Sequence, residues 1–405
     1  MKISKPQIAQ ENKQIIHRVD VESIKGNKTI WYSLHESFGD LLSSSCDAYL
    51  VALLIPAMAI GEDIHINGMI SERLLYNLSG SFQRLLQHVI PSLRQVKIYP
   101  EDVCRNQANL APGVATGFSG GIDSFCVLAD HYYSNVLERF KVTHLLFNNV
   151  GSHGRGVERL FQERYKRLLP AAELLGLPFL MINSNLGSFY GKGLGFAQTH
   201  TQRNASVALL LQGGIGRYMY ASAYNYSDAF VGPTYDMAYS DPITLPLLST
   251  DTLDAFSVGS EYSRVEKILR VAEVPDSYRT LDVCVNAHNN SRYTNCSICW
   301  KCLRTLATLE IAGYLEHYST SFDLNAYKSK RVKYFATLLG SHNPLLREIN
   351  QFAEKRNYSF PISSRVIHAS GIYPMARLSE RVMRKLIHLT RILQKKSSKT
   401  SFISI

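Results

Sequence analysis

The stretch Val114–Tyr133, VATGFSGGIDSFCVLADHYY, constrains this chain more than any other. The apolar run Val114–Phe118 reads as a strand and breaks at Ser119-Gly120-Gly121-Ile122-Asp123-Ser124. A helical pattern follows, with Phe125, Leu128 and Ala129 at spacings of three and four. Strand, glycine-rich turn and helix start together present main-chain N–H groups to an anion. The glycines allow close approach, and the first helical turn favours negative charge. The lysine-bearing loop G-x-x-x-x-G-K-[ST] is absent, so this is a different kind of anion loop. A turn merely rich in small polar residues is the plain alternative, and the flanking strand and helix count against it.

With 405 residues the chain is long enough to bury a large core and to hold more than one domain. Apolar content of 45% and charged content of 19% fit a globular, soluble protein. The longest apolar run, Ala48–Ile60, contains Pro56 and is too short to span a bilayer, so it reads as a buried helix. The opening residues MKISKPQIAQENKQ lack the apolar stretch of a signal peptide. Four of the 7 cysteines fall in one cluster, which points to metal binding in a reducing compartment, and a cytoplasmic location is expected. Charge is unevenly placed. From Tyr327 onward there are 16 Lys and Arg against 3 Asp and Glu, so the +11 of the whole chain sits in the tail and residues 1–326 are nearly neutral.

Three regions are expected: an N-terminal α/β extension over 1–110, a nucleotide-type α/β domain over 111–326, and a basic helical region over 327–405. In the first, Ile30–Leu34 and Gln95–Tyr99 read as strands, and Asp47–Ile60, Glu72–Leu78 and Phe82–Val89 as helices. Asp63–Ile66 alternates and is expected to turn at Asn67-Gly68. The extension's expected roles are packing, dimerisation or shaping the substrate site. Pro100–Pro112 reads as a linker. In the second region strands are expected at Val114–Phe118, Thr143–Asn149, Phe179–Ile182 and Asp228–Val231. Helices are expected at Arg155–Leu175, Gln198–Tyr220, Ser260–Ala272 and Leu303 to about Tyr318. Such alternation implies a doubly wound parallel sheet with its ligand site at the carboxyl ends of the strands, where Ser119 and Asn148 fall.

The second strong motif is Cys284-x11-Cys296-x2-Cys299-x2-Cys302. Four thiolates close a tetrahedral zinc site at about 2.3 Å each, and Lys301 and Arg304 lie nearby to offset its negative charge. Unrelated core cysteines, an iron–sulfur cluster and a redox pair are the alternatives. Arg203, at a helix start, is placed to clamp a triphosphate and stabilise departing charge, although a solvated helix arginine would look the same. Asp123 is placed to orient magnesium or water, or simply to favour a helix's first turn. Asn148 ends the second strand, facing a nucleotide or substrate. His153, His200 and His288 read as isolated histidines, and Cys126 either as a thiol activated by the helix or as core.

The sextet Ser119–Ser124 resembles the pyrophosphate loop, S-G-G-x-D-S, of the ATP pyrophosphatases. From Thr116 to about Tyr318 a linked set of motifs resembles one branch of them, the 7-cyano-7-deazaguanine synthases of the queuosine pathway. Phe147-Asn148-Asn149-Val150-Gly151 is similar to that branch's F-D-Y-G, and Arg203-Asn204 to its R-N. Tyr235-Asp236 through Asp241-Pro242 takes the place of its substrate loop, and Arg264-Val265-Glu266 that of its K-A-E. Thr280-Leu281 with Cys284, Cys296, Cys299 and Cys302 resembles its zinc site. The resemblance implies a Rossmann-like, adenine nucleotide alpha-hydrolase-like fold that uses ATP, Mg2+ and Zn2+. It assigns ATP to Ser119, Gly120, Gly121, Ile122, Asp123, Ser124, Phe147 and Asn148. Catalysis falls to Asp123, Ser124 and Arg203, and the substrate to Asp236, Tyr239, Asp241, Arg264 and Glu266. Departures are Asn148 for an acid, Arg264 for lysine, a longer cysteine spacing, and added residues at both ends, which leave the acceptor open.

The expected activity is therefore adenylation of a small-molecule carboxylate or amide with release of pyrophosphate, followed by attack of ammonia or another amine. No glutaminase triad is visible, so ammonia would be free or delivered. A tRNA-modifying, thiolating enzyme and a non-catalytic nucleotide-binding adaptor are the alternatives. In the tail, Ser379–Lys396 places Val382, Leu386, Leu389 and Leu393 on one helical stripe with basic residues around it. Such a helix packs on the body or a second subunit of a homodimer, or anchors to nucleic acid or an anionic membrane.

Overall fold

A computed structural model describes residues 1–105, 109–152, 157–191, 193–285 and 292–370. The helix expected over Ser379–Lys396, together with His153 and His288, lies outside the described residues. The chain divides into two compact units, Met1–Val283 and Cys284–Ile405.

The first unit is α/β, built on a mostly parallel sheet of eleven strands. In chain order these are β1 (Lys2–Ile3), β2 (Gln7–Glu11), β3 (Gln14–Glu22), β4 (Lys28–His35), β5 (Ile64–Ser71), β6 (Ile98–Cys104), β7 (Gly113–Gly117), β8 (His144–Asn148), β9 (Phe179–Ser184), β10 (Ile215–Ala221) and β11 (Asp254–Val258). Their spatial order is β11-β10-β7-β8-β9-β4-β3-β1-β5-β6, with β2 paired to β3. The five strands from β11 to β9 are all parallel. Their order means that the chain starts at β7, moves outward through β8 and β9, then returns to the other side of β7 for β10 and β11. The chain thus leaves β7 toward one side of the sheet and β10 toward the other, and the crevice at such a switch point is where a Rossmann-like sheet takes its ligand.

β9 pairs antiparallel with β4 through Tyr32↔Ser184 and Ser33↔Asn183. That ladder joins the first hundred residues to the parallel half in one sheet. The helix Asp47–Ile60 is apolar all round and has no polar face to turn to water, so Asp47 through Met58 are buried. It packs against the helix Phe196–Leu210, in a core running through both halves of the sheet.

Several local expectations change. The chain does not turn at Asn67-Gly68; β5 continues through them with an irregularity between Ile66 and Met69. A Cβ on Gly68 would lie 2.6 Å from Cys46 Sγ, so the glycine permits close packing rather than a turn. The first part of the expected linker Pro100–Pro112, as far as Cys104, belongs to β6, the edge strand, where Pro100 has no ladder bond to lose. The expected helix Gln198–Tyr220 ends at Leu210, and β10 follows. Gly213 and Gly214 press against Leu41 and Leu42, where any Cβ would collide. Asp228–Val231 is no strand: a 3-10 turn covers Tyr226–Asp228. β1, β2, β3 and β11 were not anticipated from the pattern. Among the described residues, no helix is long and apolar enough to cross a membrane.

The second unit is helical, with helices Trp300–Ala312, Leu324–Leu339, Pro344–Lys355 and Ile362–Ala369. Gly313, at φ +85°, ends the first of them in the left-handed conformation. Glu310 accepts from Tyr327 Oη at 2.7 Å and from Arg331 Nε at 2.7 Å. Burial raises its pKa, but these donors outweigh burial and hold it below the usual carboxylate range.

Candidate functional site

β7 is buried to its end, so the chain leaves the sheet at Gly117-Phe118 directly into the glycine loop. Gly120 adopts φ +70°, and a Cβ there would lie 2.7 Å from Leu168 Cδ2; glycine is required on both counts. The Asp282 N–H donates to Gly120 O at 2.7 Å, holding the loop from outside. Gly121 caps the helix Ile122–Leu128, Ser124 Oγ donates to Gly121 O at 3.0 Å, and Ser119 is exposed. The side chains Phe125 to Leu128 are core. Burial pushes the Cys126 thiol up to about 12, so the reading of an activated thiol gives way to packing.

Asp123 projects from the first turn of that helix into two cations. Arg264 meets it in a fork, Nη1 to Oδ1 at 2.8 Å and Nη2 to Oδ2 at 3.3 Å; Lys267 Nζ lies 3.4 Å from Oδ1. Burial raises the Asp123 pKa, but Arg264 and then Lys267 outweigh it and hold the carboxyl below its ordinary value. Lys267 is fully buried, with Nζ donating to Ser222 O at 2.6 Å and Ser222 Oγ at 2.8 Å. Burial lowers its pKa, and Asp123 opposes that effect. Pattern reading had missed Lys267, although Arg264 and Lys267 stand three apart and share a helix face. Glu266, grouped with the substrate residues by resemblance, closes a capping box: its carboxylate accepts from Ser263 N–H at 2.8 Å.

Arg203 is buried on the helix Phe196–Leu210 with no carboxylate partner among the described residues. Nε donates to Thr199 Oγ1 at 2.8 Å and Nη1 to Val150 O at 3.1 Å; the guanidinium lies 3.6 Å from the centroid of the Tyr190 ring. Gly151, at φ +98°, passes so near that a Cβ would lie 2.5 Å from Nη1. Among the described residues the guanidinium thus meets a hydroxyl, a carbonyl and a ring, and it lies in the middle of its helix rather than at the start that the sequence suggests.

Between Arg203 and β10 runs a chain of polar groups. Asn148 Nδ2 donates to Asn204 Oδ1 at 3.2 Å, and Asn204 Nδ2 in turn donates to His200 O at 2.8 Å. Tyr220 Oη lies 2.6 Å from His200 Nδ1, His200 Nε2 lies 3.4 Å from Asp236 Oδ1, and Tyr224 Oη donates to Asp236 Oδ2 at 3.2 Å. His200 is therefore not isolated, as its sequence context suggested. Tyr239 stacks on Tyr224 with ring centroids 3.8 Å apart. Asp241 accepts from Thr201 Oγ1 at 2.6 Å, and burial pushes its carboxyl up to about 6. Asn148 Oδ1, Asp241 Oδ2, Tyr218 Oη and both amide atoms of Gln202 are buried without a hydrogen-bond partner. Orphaned atoms at this density call for a polar ligand or ordered water.

The structure thus groups most of the expected residues at the carboxyl ends of β7, β8 and β10. Phe147 is the exception: its ring stacks on Phe161 at 5.1 Å in the core, leaving only its main chain for a nucleotide. Tyr220 and Ser222 escaped pattern reading because β10 read as helix.

In the second unit, the Sγ atoms of Cys284, Cys296, Cys299 and Cys302 all lie within 4.8 Å of one another. Cys299 to Cys302 is 3.4 Å and Cys296 to Cys302 is 3.9 Å. Tetrahedral zinc with bonds of about 2.3 Å sets its sulfurs about 3.8 Å apart, so the donor set fits such a metal. The Cys299 N–H donates to Cys296 Sγ at 3.2 Å, a bond that favours the thiolate. Thiols this close cannot all ionise without a cation: burial and then Cys299 push Cys302 well up. Lys301 and Arg304 stand 5.5 and 5.1 Å from the Trp300 ring centroid, where their charges flank the cluster in sequence. Comparison of the chain with protein-family models, curated proteins and solved structures finds no match.

Proposed function

We propose that the first unit binds MgATP and adenylates a carboxylate or amide oxygen, releasing pyrophosphate, after which ammonia or another amine displaces AMP. The observation that carries this reading is the glycine loop at the end of β7, the switch strand of the sheet, with Arg264 and Lys267 paired to its Asp123; Arg203 meets the turn after β8, the neighbouring strand. In this reading the loop's N–H groups and Arg203 hold the phosphates. Asp123 and the phosphates would hold magnesium, as one carboxylate with phosphate oxygens suits that ion, and the metal would neutralise charge on the leaving pyrophosphate. Arg264, released from Asp123 as metal and phosphate arrive, pairs with the new anion. Positioning and charge stabilisation supply the rate, without a covalent enzyme intermediate.

The inert Cys126 speaks against thiol-based base modification, the nearest rival. Zinc at the four cysteines serves folding in this account, because no fifth donor or open position accompanies them among the described residues. The test is exchange of labelled pyrophosphate into ATP, with the full chain, magnesium and a defined mixture of small carboxylic acids. Acid-dependent exchange is expected; none with any mixture overturns the proposal.

A further inference from the structure

Tyr220, Ser222 and their neighbours place a second functional group beside the phosphate loop. Ser222 directly follows β10, and its N–H still donates to Val258 O of β11 at 2.9 Å, so the extended chain places Tyr220 and Ser222, two apart, on one side. Ser222 holds Lys267, and Lys267 reaches Asp123 of the loop. Tyr220 therefore stands two residues along the chain from the serine that holds Lys267 against Asp123. We infer that Tyr220, His200 and Asp236 form a proton relay that deprotonates the attacking amine once the acyl adenylate has formed, an inference that rests on the adenylation reading above.

The geometry sets each role. Asp236 is acceptor-only when ionised, so His200 Nε2 carries the proton toward it and Nδ1 is left to accept from the Tyr220 hydroxyl. The 2.6 Å contact at Nδ1 is short, whereas the 3.4 Å contact to Asp236 is loose, as catalytic pairs often are before substrate arrives. Asp236 is held in place by Tyr224 Oη and by the Ala238 N–H at 3.1 Å. Burial raises its pKa, but His200 outweighs that and keeps it ionised. The other titratable groups facing this line are Asp241, Tyr218 and Tyr239. Asp241 Oδ2, Tyr218 Oη and Asn148 Oδ1 are buried without partners, so polar atoms remain in this region for a substrate or ordered water to satisfy.

In the step itself, the amine's lone pair forms the C–N bond at the activated carbonyl carbon. The C–O bond to the AMP phosphate breaks, and AMP leaves with that electron pair. The nitrogen sheds one proton to Tyr220 Oη as the tyrosine's own proton passes to His200 Nδ1. The imidazolium is stabilised by Asp236, whose side chain is 35% exposed and opens a way to water. Tyr220 and His200 are thus the catalytic groups, and Asp236 is a positioning residue.

The test separates adenylation from transfer in the full chain, with ATP, magnesium and the same mixture of carboxylic acids. Pyrophosphate exchange reads the first step; acyl transfer to ammonia or to hydroxylamine reads the second. Once bonded to the carbonyl carbon, the nitrogen of ammonia is weakly acidic and needs a base to take its proton, whereas the more acidic nitrogen of hydroxylamine gives its proton up to water. His200→Gln and Tyr220→Phe are each expected to slow transfer to ammonia a hundredfold or more, with a far smaller loss to hydroxylamine and less than a tenfold loss of exchange. Asp236→Asn should show the same selectivity more weakly and shift the pH profile of ammonia transfer. Retained exchange shows that a variant is folded; where His200→Gln fails to fold, Tyr220→Phe alone decides. Exchange with ammonia transfer untouched, or both nucleophiles slowed equally, overturns the relay while leaving the adenylation reading intact. No exchange in the unaltered protein overturns both.

Discussion

Asp123 shows how one side chain carries both stability and chemistry. It neutralises Arg264 and the buried Lys267, so Asp123→Ala removes more than the metal ligand proposed for it. The variant should lose pyrophosphate release and also about 2 kcal/mol of stability, reduced from the full cost of a buried pair because a third of the Asp123 side chain is exposed. Denaturant unfolding beside the exchange assay checks both; unchanged stability would mean that Lys267 finds another partner. Asp241 makes a pH prediction. Its folded carboxyl is raised from 3.8 to about 6, mainly by burial. Between those values the folded chain keeps a proton that the unfolded chain releases, so stability falls as pH rises through that window and the cost is complete above it. Asp241→Asn should therefore gain about 3 kcal/mol near pH 7 and nothing near pH 3, as measured by unfolding at both. A gain independent of pH would show that the carboxyl is not the cause. Asp123 and Asn148 were legible in the sequence because each sits at an element boundary beside a motif; Arg203 was legible from its motif, although it lies in the middle of the helix Phe196–Leu210 and not at its start. His200 and Lys267 were not, since their partners come from strands and loops far along the chain.

At the scale of elements, the strand–loop–helix of residues 113–128 depends on Gly120. Gly120→Ala would force an L side chain to φ +70° and set its Cβ against Leu168. A loss of about 1–2 kcal/mol in backbone strain alone is expected, with nucleotide binding lost as the loop shifts. Calorimetric unfolding and ATP titration would show it; wild-type ATP affinity would contradict the loop's proposed role. In the second unit, Cys299→Ser should abolish stoichiometric zinc and lower the unfolding temperature rather than remove activity selectively, because a closed tetrathiolate site contributes to folding. Metal analysis finding iron, or zinc retained in the variant, would argue against this. The helix Asp47–Ile60 and β7 through β9 were legible from composition and period. β10 was not: its interior is buried on both faces, so no alternation marks it as a strand, and only the glycines before it hint at a break.

At the scale of the whole molecule, the first hundred residues extend the parallel half of the sheet through β4 and β9, a packing role that needs no motif of its own. That pairing spans some 150 positions of sequence and leaves no local trace to read. The basic segment beyond residue 370 is known from sequence alone, and its charge makes a separate prediction. Deleting residues 376–405 should leave pyrophosphate exchange within a few-fold of the full chain while removing salt-dependent binding to liposomes or tRNA. Loss of exchange, or of folding, would place that segment in the core.

The central claim is that ATP is cut between its α and β phosphates to activate an acid. Phosphorus NMR of the full chain with MgATP, ammonium and the carboxylic acid mixture reads this directly. The account predicts AMP and pyrophosphate appearing in equal amounts and only when an acid is present. ADP and orthophosphate, or ATP left intact with every mixture, would contradict it.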